Sequence, residues 1–349
     1  MEIDKYAGFL SRRQLELIIM PTEQCNFRCT YCYEDFEIGK MKDETVQAIK
    51  KLITARLSNP SLSELVFSWF GGEPLMAKDI VYELSEFAQK ACATSGIQFS
   101  SGMTTNAYGL DSATFDNLLK LNVRSYQISI DGDEDEHNKT RKLISGRGTF
   151  AKIWSNLLDL KKSKEQFDVM LRIHIHQENV DSLKQLLPKI CSEFADDIRF
   201  SIFLKAVGNW GGDGVKQMSL TKNADAVKDD MNACLIEHGW FNLRNSAETS
   251  DVVTPCYAAR SNSFVIRANG MLNKCTVAFS DPRNSVGHIN SDGTLFIQSE
   301  KIQPFMRGFQ SLDKAALRCP MHGMPKIEEV KTIQFAKSIN EVLSEISVA

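Results

Sequence analysis

The 349-residue chain carries 41 basic and 44 acidic residues, a formal net charge of −3, and a 43% hydrophobic fraction. That balance gives no electrostatic case for a nucleic-acid partner, and with no apolar run of 18 or more residues the sequence offers no membrane span. The length suits one large domain plus a smaller one. The N-terminal stretch MEIDKYAGFLSRRQ lacks the basic segment, apolar core and cleavage site of a secretory signal, so a cytoplasmic location is expected. In that compartment clustered cysteines serve metals or catalysis more often than disulfides.

In chain order, branched apolar runs and helical periods predict strand 15–20, helix 44–57, strand 65–70, helix 79–92, strand 98–103, helix 112–121 and strand 124–130. Helix 150–163, strand 169–176, helix 180–194 with Asn179 as its N-cap, and strand 198–204 follow. Six strands alternating with helices predict parallel βαβ units. The expected fold is α/β, an open sheet or a partial (β/α)6 TIM-like barrel with chemistry at the C-terminal strand ends. After a glycine-rich loop, KAVGNWGGDGVKQ, a helix is expected over 224–238, and short strands and turns from about residue 242. Asn269-Gly270 marks a hairpin there, and a helix over 327–346 closes the chain.

The segment QCNFRCTYCY places Cys25, Cys29 and Cys32 directly after the first strand, with three and then two residues between them. Three thiolates need a fourth ligand to close a structural zinc site, and soft thiolates suit zinc or an iron–sulfur cluster alike. A zinc site completed by a distant residue and a cluster with one open iron are both compatible with this spacing.

Cys25-x3-Cys29-x2-Cys32, with the aromatic Tyr31 before the last cysteine, resembles the signature of the radical S-adenosylmethionine (radical SAM) superfamily. The resemblance implies a [4Fe–4S] cluster on the three thiolates, with SAM chelating the fourth iron. Reductive cleavage of SAM there yields a 5′-deoxyadenosyl radical, which requires exclusion of water. Further elements in order support it. Gly71-Gly72-Glu73-Pro74 resembles the family's GGEP element, which implies contact with the SAM amino group; a Gly-Gly pair permits close backbone approach. Thr104-Thr105-Asn106 ends the third strand, a position near SAM in relatives. The SIDG segment contributes Ser129 and Asp131, and Arg141 is the implied partner of the SAM carboxylate, which a guanidinium binds bidentately.

His137 and the step from Gly146 to Phe150 extend the similarity to peptide-modifying members. The acidic run from Asp133 to Glu136 reads as a solvated loop. Arg172, His174 and His176 alternate on the fifth strand and so face one side. His174 is the candidate for substrate contact.

Thirteen residues separate Cys256 from Gly270 and four separate Gly270 from Cys275, a spacing similar to the element that opens SPASM and twitch domains. The resemblance implies one auxiliary [4Fe–4S] cluster on Cys256, Cys275 and Cys319, with His322 as the candidate fourth ligand. An open iron, a remote ligand, or three ordinary buried cysteines are the alternatives. Cys92, Cys191 and Cys234 read as packing residues. The implied division is a radical SAM barrel over 1–240, a twitch or truncated SPASM domain over 241–326, and a terminal helix over 327–349.

The resemblance is closest to peptide maturases, which implies a ribosomally made peptide substrate and a carbon–carbon or thioether crosslink. A small-molecule dehydrogenase is the alternative. The cysteine-poor C-terminal part argues against sulfatase maturation, and intact SAM elements argue against a non-catalytic electron carrier. With about a dozen residues before the first strand, leader recognition is expected from a separate protein or from the barrel and C-terminal domain. A reductase, flavodoxin or ferredoxin is the expected electron donor.

Overall fold

The structure, a computed structural model, describes residues 6–212, 214–241 and 253–325. Its strands are β1 (Gln14–Ile19), β2 (Phe27–Cys29), β3 (Glu64–Trp69), β4 (Gln98–Thr105), β5 (Val123–Ile130), β6 (Arg141–Leu143), β7 (Asp168–Ile175) and β8 (Phe200–Ala206), then β9 (Ser263–Ile266), β10 (Met271–Asn273), β11 (Ser285–Ile289) and β12 (Leu295–Ile297). The helices are α1 (Ala7–Leu10), α2 (Asp43–Leu57), α3 (Lys78–Ser95), α4 (Ser112–Lys120), α5 (Glu134–Thr140), α6 (Phe150–Lys161), α7 (Val180–Phe194), α8 (Ala224–Glu237), α9 (Ser299–Ser311) and α10 (Lys314–Arg318).

Six strands lie parallel in the order β1, β3, β4, β5, β7, β8, joined by helical crossovers. This is the expected α/β arrangement. Side-chain alternation explains it: Leu65, Phe67 and Trp69 of β3 and Val169, Leu171, Ile173 and Ile175 of β7 are buried in the core. The residues between them, such as Ser68, Met170, Arg172 and His174, line cavities on the other face. Helix α7 covers the core with Leu183, Leu186, Leu187, Ile190 and Phe194. Each such side chain contributes about 1.5–3 kcal/mol by burial.

The C-terminal strands extend the same sheet. β9 pairs parallel with β1, and β10, β11 and β12 follow antiparallel. The hairpin expected at Asn269-Gly270 joins β9 to β10, with Gly270 at φ +84°. The expected terminal helix lies outside the described residues. Among the described residues no helix is long and apolar enough to cross a membrane.

Local expectations need correction in four places. Strand β8 starts two residues later than expected, because Phe200 N–H turns back to the Asp197 carbonyl at 3.0 Å. The acidic run is not a loop: Asp133 caps α5 by accepting from Glu136 N–H at 3.0 Å, and the acids that follow fill its first turn, where the helix dipole favours them. Asn179 occupies the N-cap of α7 without capping it. Its Nδ2 instead joins the carbonyls of Asp131 at 2.6 Å and His174 at 2.8 Å, tying the ends of β5 and β7 together. A short antiparallel pair, β2 with β6, was not expected, and it sets the cysteine loop against Arg141.

Candidate active site

At the C-terminal ends of the parallel strands lies a cavity of about 1160 Å³, counted with its open mouth. Cys25, Cys29 and Cys32 all line it. The loop that carries them is fixed from several sides. Phe27 N–H donates to Cys25 Sγ at 3.3 Å, and Asn106 Nδ2 donates to Asn26 Oδ1 at 2.8 Å. Cys29 is the register partner of Arg141, and Cys32 N–H turns back to the Cys29 carbonyl at 3.1 Å.

The Gly71-Gly72 pair serves this loop directly. A Cβ on Gly71 would overlap the Thr22 carbonyl oxygen, and one on Gly72 would overlap that of Gln24. Gly71 also has φ +122°, a conformation that glycine adopts freely. The close approach is therefore to the cysteine loop's own backbone, although both glycines also line the cavity. Gly212, in the glycine-rich loop, abuts the same segment at the Cys32 carbonyl.

Glu73 is buried, and it stands behind the cavity wall. Its carboxylate accepts from Thr105 Oγ1 at 2.7 Å, Asn106 N–H at 2.7 Å and Leu75 N–H at 3.0 Å. Burial lifts its pKa above the ordinary value, and these donors oppose the lift. Glu73 thus locks the β3 and β4 strand ends together, with Pro74 opening the turn that follows. Thr105, Asn106 and Ser129 line the cavity.

Asp131 is fully buried and also stands behind the wall. It accepts from Tyr31 OH at 2.7 Å and Thr140 Oγ1 at 2.8 Å, and its Oδ1 lies 3.0 Å from His174 Nδ1. Burial alone would raise its pKa, but the His174 hydrogen bond and the Arg141 charge hold it well below the usual carboxylate range. Burial pushes the His174 imidazole down to about 4, so at neutral pH it is uncharged. Tyr31 OH in turn accepts from Arg141 Nη1 at 2.8 Å. His137 is buried away from the cavity, with Nε2 at 3.1 Å from Thr149 Oγ1.

Arg141 lines the cavity, and its Nε is buried without a partner. That orphaned donor beside three thiols fits an anionic ligand group. Burial pushes the thiols up, Cys32 to about 12, with Cys25 and Cys29 also raised. Uncompensated, they stay protonated; bound metal ions would hold them as thiolates. Among the described residues no three His, Cys, Asp or Glu side chains gather closely enough to hold a single metal ion. Three separate thiols around a shared cavity, with soft donor chemistry, suit a polynuclear cluster.

Cys256, Cys275 and Cys319 come from three segments that are stitched together. Cys256 N–H donates to the Leu317 carbonyl at 2.9 Å, and Tyr257 OH lies 2.6 Å from Thr276 Oγ1. Asn284, fully buried, accepts from Lys274 and Cys275 N–H at 3.1 and 2.7 Å. His322 is exposed, its N–H held by the Cys319 carbonyl at 2.9 Å. Thr276 and Val277 line the main cavity, so the Cys275 segment forms part of its wall. Two further wall residues carried no sequence signal: Glu34, whose Oε2 is buried without a partner and whose carboxyl is pushed up to about 8 by burial, and half-exposed Trp210.

Comparison with known proteins places this site in context. The chain is 27% identical over 203 residues to a cysteine-type anaerobic sulfatase-maturating enzyme of Clostridium novyi, covering 55% of this chain and 51% of that protein. It is 27% identical over 176 residues to a serine-type enzyme of Bacteroides thetaiotaomicron, covering 49% and 42%. The chain thus spans about half the length of the curated relatives it matches. Native anSMEcpe with bound AdoMet and Kp18Cys peptide superposes with a TM-score of 0.65 at 19% identity, over 84% of each chain. Streptococcus suis SuiB bound to precursor peptide SuiA gives 0.57 at 15% identity, over 89% of this chain and 70% of that one. Both are likenesses of fold. The Radical SAM superfamily model matches residues 19–188, the span that holds the three cysteines, the glycine pair and Arg141. Residues 19–188 are therefore a radical SAM domain.

Proposed function

We propose that this protein is a radical SAM enzyme that modifies a peptide or protein substrate. The observation that carries the reading is the convergence of Cys25, Cys29 and Cys32 on one cavity with the unpartnered Nε of Arg141. When bound, a [4Fe–4S] cluster and SAM supply one-electron cleavage of the sulfonium and a 5′-deoxyadenosyl radical for hydrogen abstraction. The three thiols would hold the cluster, and Arg141 would orient the SAM carboxylate. Glu73 would act by fixing the strand ends around the cofactor, while Gly71 and Gly72 keep the cysteine loop close. Phe27, Phe36 and Phe70 on the wall help exclude water.

A peptide substrate is favoured by the relatives, which are maturases in name or carry peptides in their structures. Crosslinking is the finer reading: Cys256, Cys275 and Cys319 would hold one auxiliary cluster, which would supply the electron acceptor that an oxidative ring closure needs, and the Cys275 segment adjoins the cavity through Thr276 and Val277. Formylglycine formation is the second reading, favoured by the curated relatives. An external electron donor and a separate leader-recognition protein complete the proposal.

The test is anaerobic reconstitution with iron and sulfide, then SAM and dithionite. 5′-Deoxyadenosine should form, and should vanish when Cys25, Cys29 and Cys32 are all replaced by Ala. Product from the triple variant, or purified protein holding zinc without sulfide, would overturn the assignment. Hydrazide trapping followed by fragmentation mass spectrometry of a co-expressed peptide encoded nearby separates the two readings: formylglycine gives an aldehyde adduct, whereas a crosslink gives a trapping-resistant product that has lost two hydrogens.

A further inference from the structure

Arg172, on β7, lines the cavity. Its Nε donates to His174 Nε2 at 3.0 Å. Among the described residues no carboxylate pairs with its guanidinium, and both Nη groups are without a hydrogen-bond partner. The acceptor on His174 is dictated from behind. Asp131 Oδ1 lies 3.0 Å from His174 Nδ1, and a carboxylate that stays ionised can only accept. The proton therefore sits on Nδ1, and Nε2 presents its lone pair to Arg172. The row Asp131–His174–Arg172 fixes the guanidinium by its Nε and leaves the Nη edge uncommitted. Phe203 flanks it, with its ring centroid 5.8 Å from Cζ.

A half-buried cation that no carboxylate touches directly is costly; Asp131 acts on Arg172 only from behind His174, and Arg141 on the same wall adds a second positive charge. This part of the cavity is suited to an anion. The SAM carboxylate already has Arg141 in the proposed arrangement, which leaves Arg172 for the other ligand. We propose that Arg172 recognises the substrate by binding a carboxylate, an Asp or Glu side chain near the reacting residue, through its Nη edge. This rests on the peptide reading above. His174 and Asp131 are then positioning residues that aim Arg172.

The test pans a randomised dodecapeptide library anaerobically on reconstituted holoenzyme with SAM. Wild type should enrich Asp or Glu at one fixed position. Arg172→Gln should reduce that acidic preference about tenfold, and Arg172→Lys should lose part of it, since it keeps the charge but not the fork. SAM affinity should stay within about twofold in both variants. A consensus without an acidic position, one unchanged in Arg172→Gln, or a tenfold loss of SAM affinity would each overturn the proposal; the last would move Arg172 to the cofactor site. No consensus on wild type would count against a peptide substrate altogether and take the proposal with it. Should Arg172→Gln misfold by circular dichroism, Arg172→Lys, which keeps a donor for His174, makes the same comparison.

Discussion

Cys29 and Arg141 face each other as register partners across the ribbon of β2 and β6, and Arg141 reaches the hydroxyl of Tyr31, which lies between Cys29 and Cys32 in the chain. The candidate SAM anchor and the candidate cluster ligands are thus one mechanical unit. Arg141→Lys should raise the SAM Kd about tenfold, about 1.4 kcal/mol, with iron content unchanged. Equilibrium dialysis on reconstituted protein measures this; an unaltered Kd removes Arg141 from the cofactor site.

Tyr31→Phe deletes the hydroxyl on which Asp131, His174 and Arg141 meet. Leaving buried charged partners short of a hydrogen bond should lower folding stability by about 1–3 kcal/mol. SAM affinity should fall as Arg141 loosens. Urea unfolding that matches wild type would show that the network tolerates the gap.

His174 and His137 are both held neutral by burial, at about 4 and about 3. Each titrates below its unfolded value of about 6.5, so acid protonates the unfolded chain first. Stability is fully present above pH 6.5 and is lost as pH falls toward 4, by about 3 kcal/mol from His174. Asp131 acts in the same direction at lower pH, since its pKa is depressed in the fold. Urea titrations of cluster-free protein should slope downward between pH 6.5 and 5, less steeply in His174→Gln. Equal slopes would exclude His174 as the source.

Gly72→Ala would drive a methyl group into the Gln24 and Glu23 carbonyl oxygens, both backbone atoms that cannot swing aside. A cost of about 1–3 kcal/mol is expected, accompanied by reduced iron uptake because the cysteine loop must move. A variant with wild-type melting and full iron would show that this loop has more freedom than its packing indicates.

The C-terminal thiols allow a count. Replacing Cys256 and Cys275 by Ser should lower iron from about eight to about four per chain. If unmodified protein already holds about four, no auxiliary cluster forms.

Most elements around the site were legible because their signals are local. Alternation in β3 and β7 and the period of α7 follow from which faces are buried. The cysteine spacing and the Gly-Gly-Glu-Pro segment are equally local. Pairings between distant segments were not legible. Nothing in Phe27–Cys29 announces that it pairs with Arg141–Leu143, and Asn179 looks like a cap until the carbonyls of Asp131 and His174 are seen to need its amide. Asp131 and Glu73 were expected at the cofactor, yet both stand behind the wall as braces, a distinction that depends on depth. Glu34 and Trp210 carry no motif and emerge only from the cavity's shape.

The parallel pairing of Ser263–Ile266 with Gln14–Ile19 bears on any attempt to divide this protein. Shortening the chain before residue 263 would strip one side of β1 of its ladder, leaving bare amides and carbonyls on an apolar strand. Such an edge invites pairing with another molecule, so a chain truncated there should precipitate or self-associate rather than survive as a minimal domain.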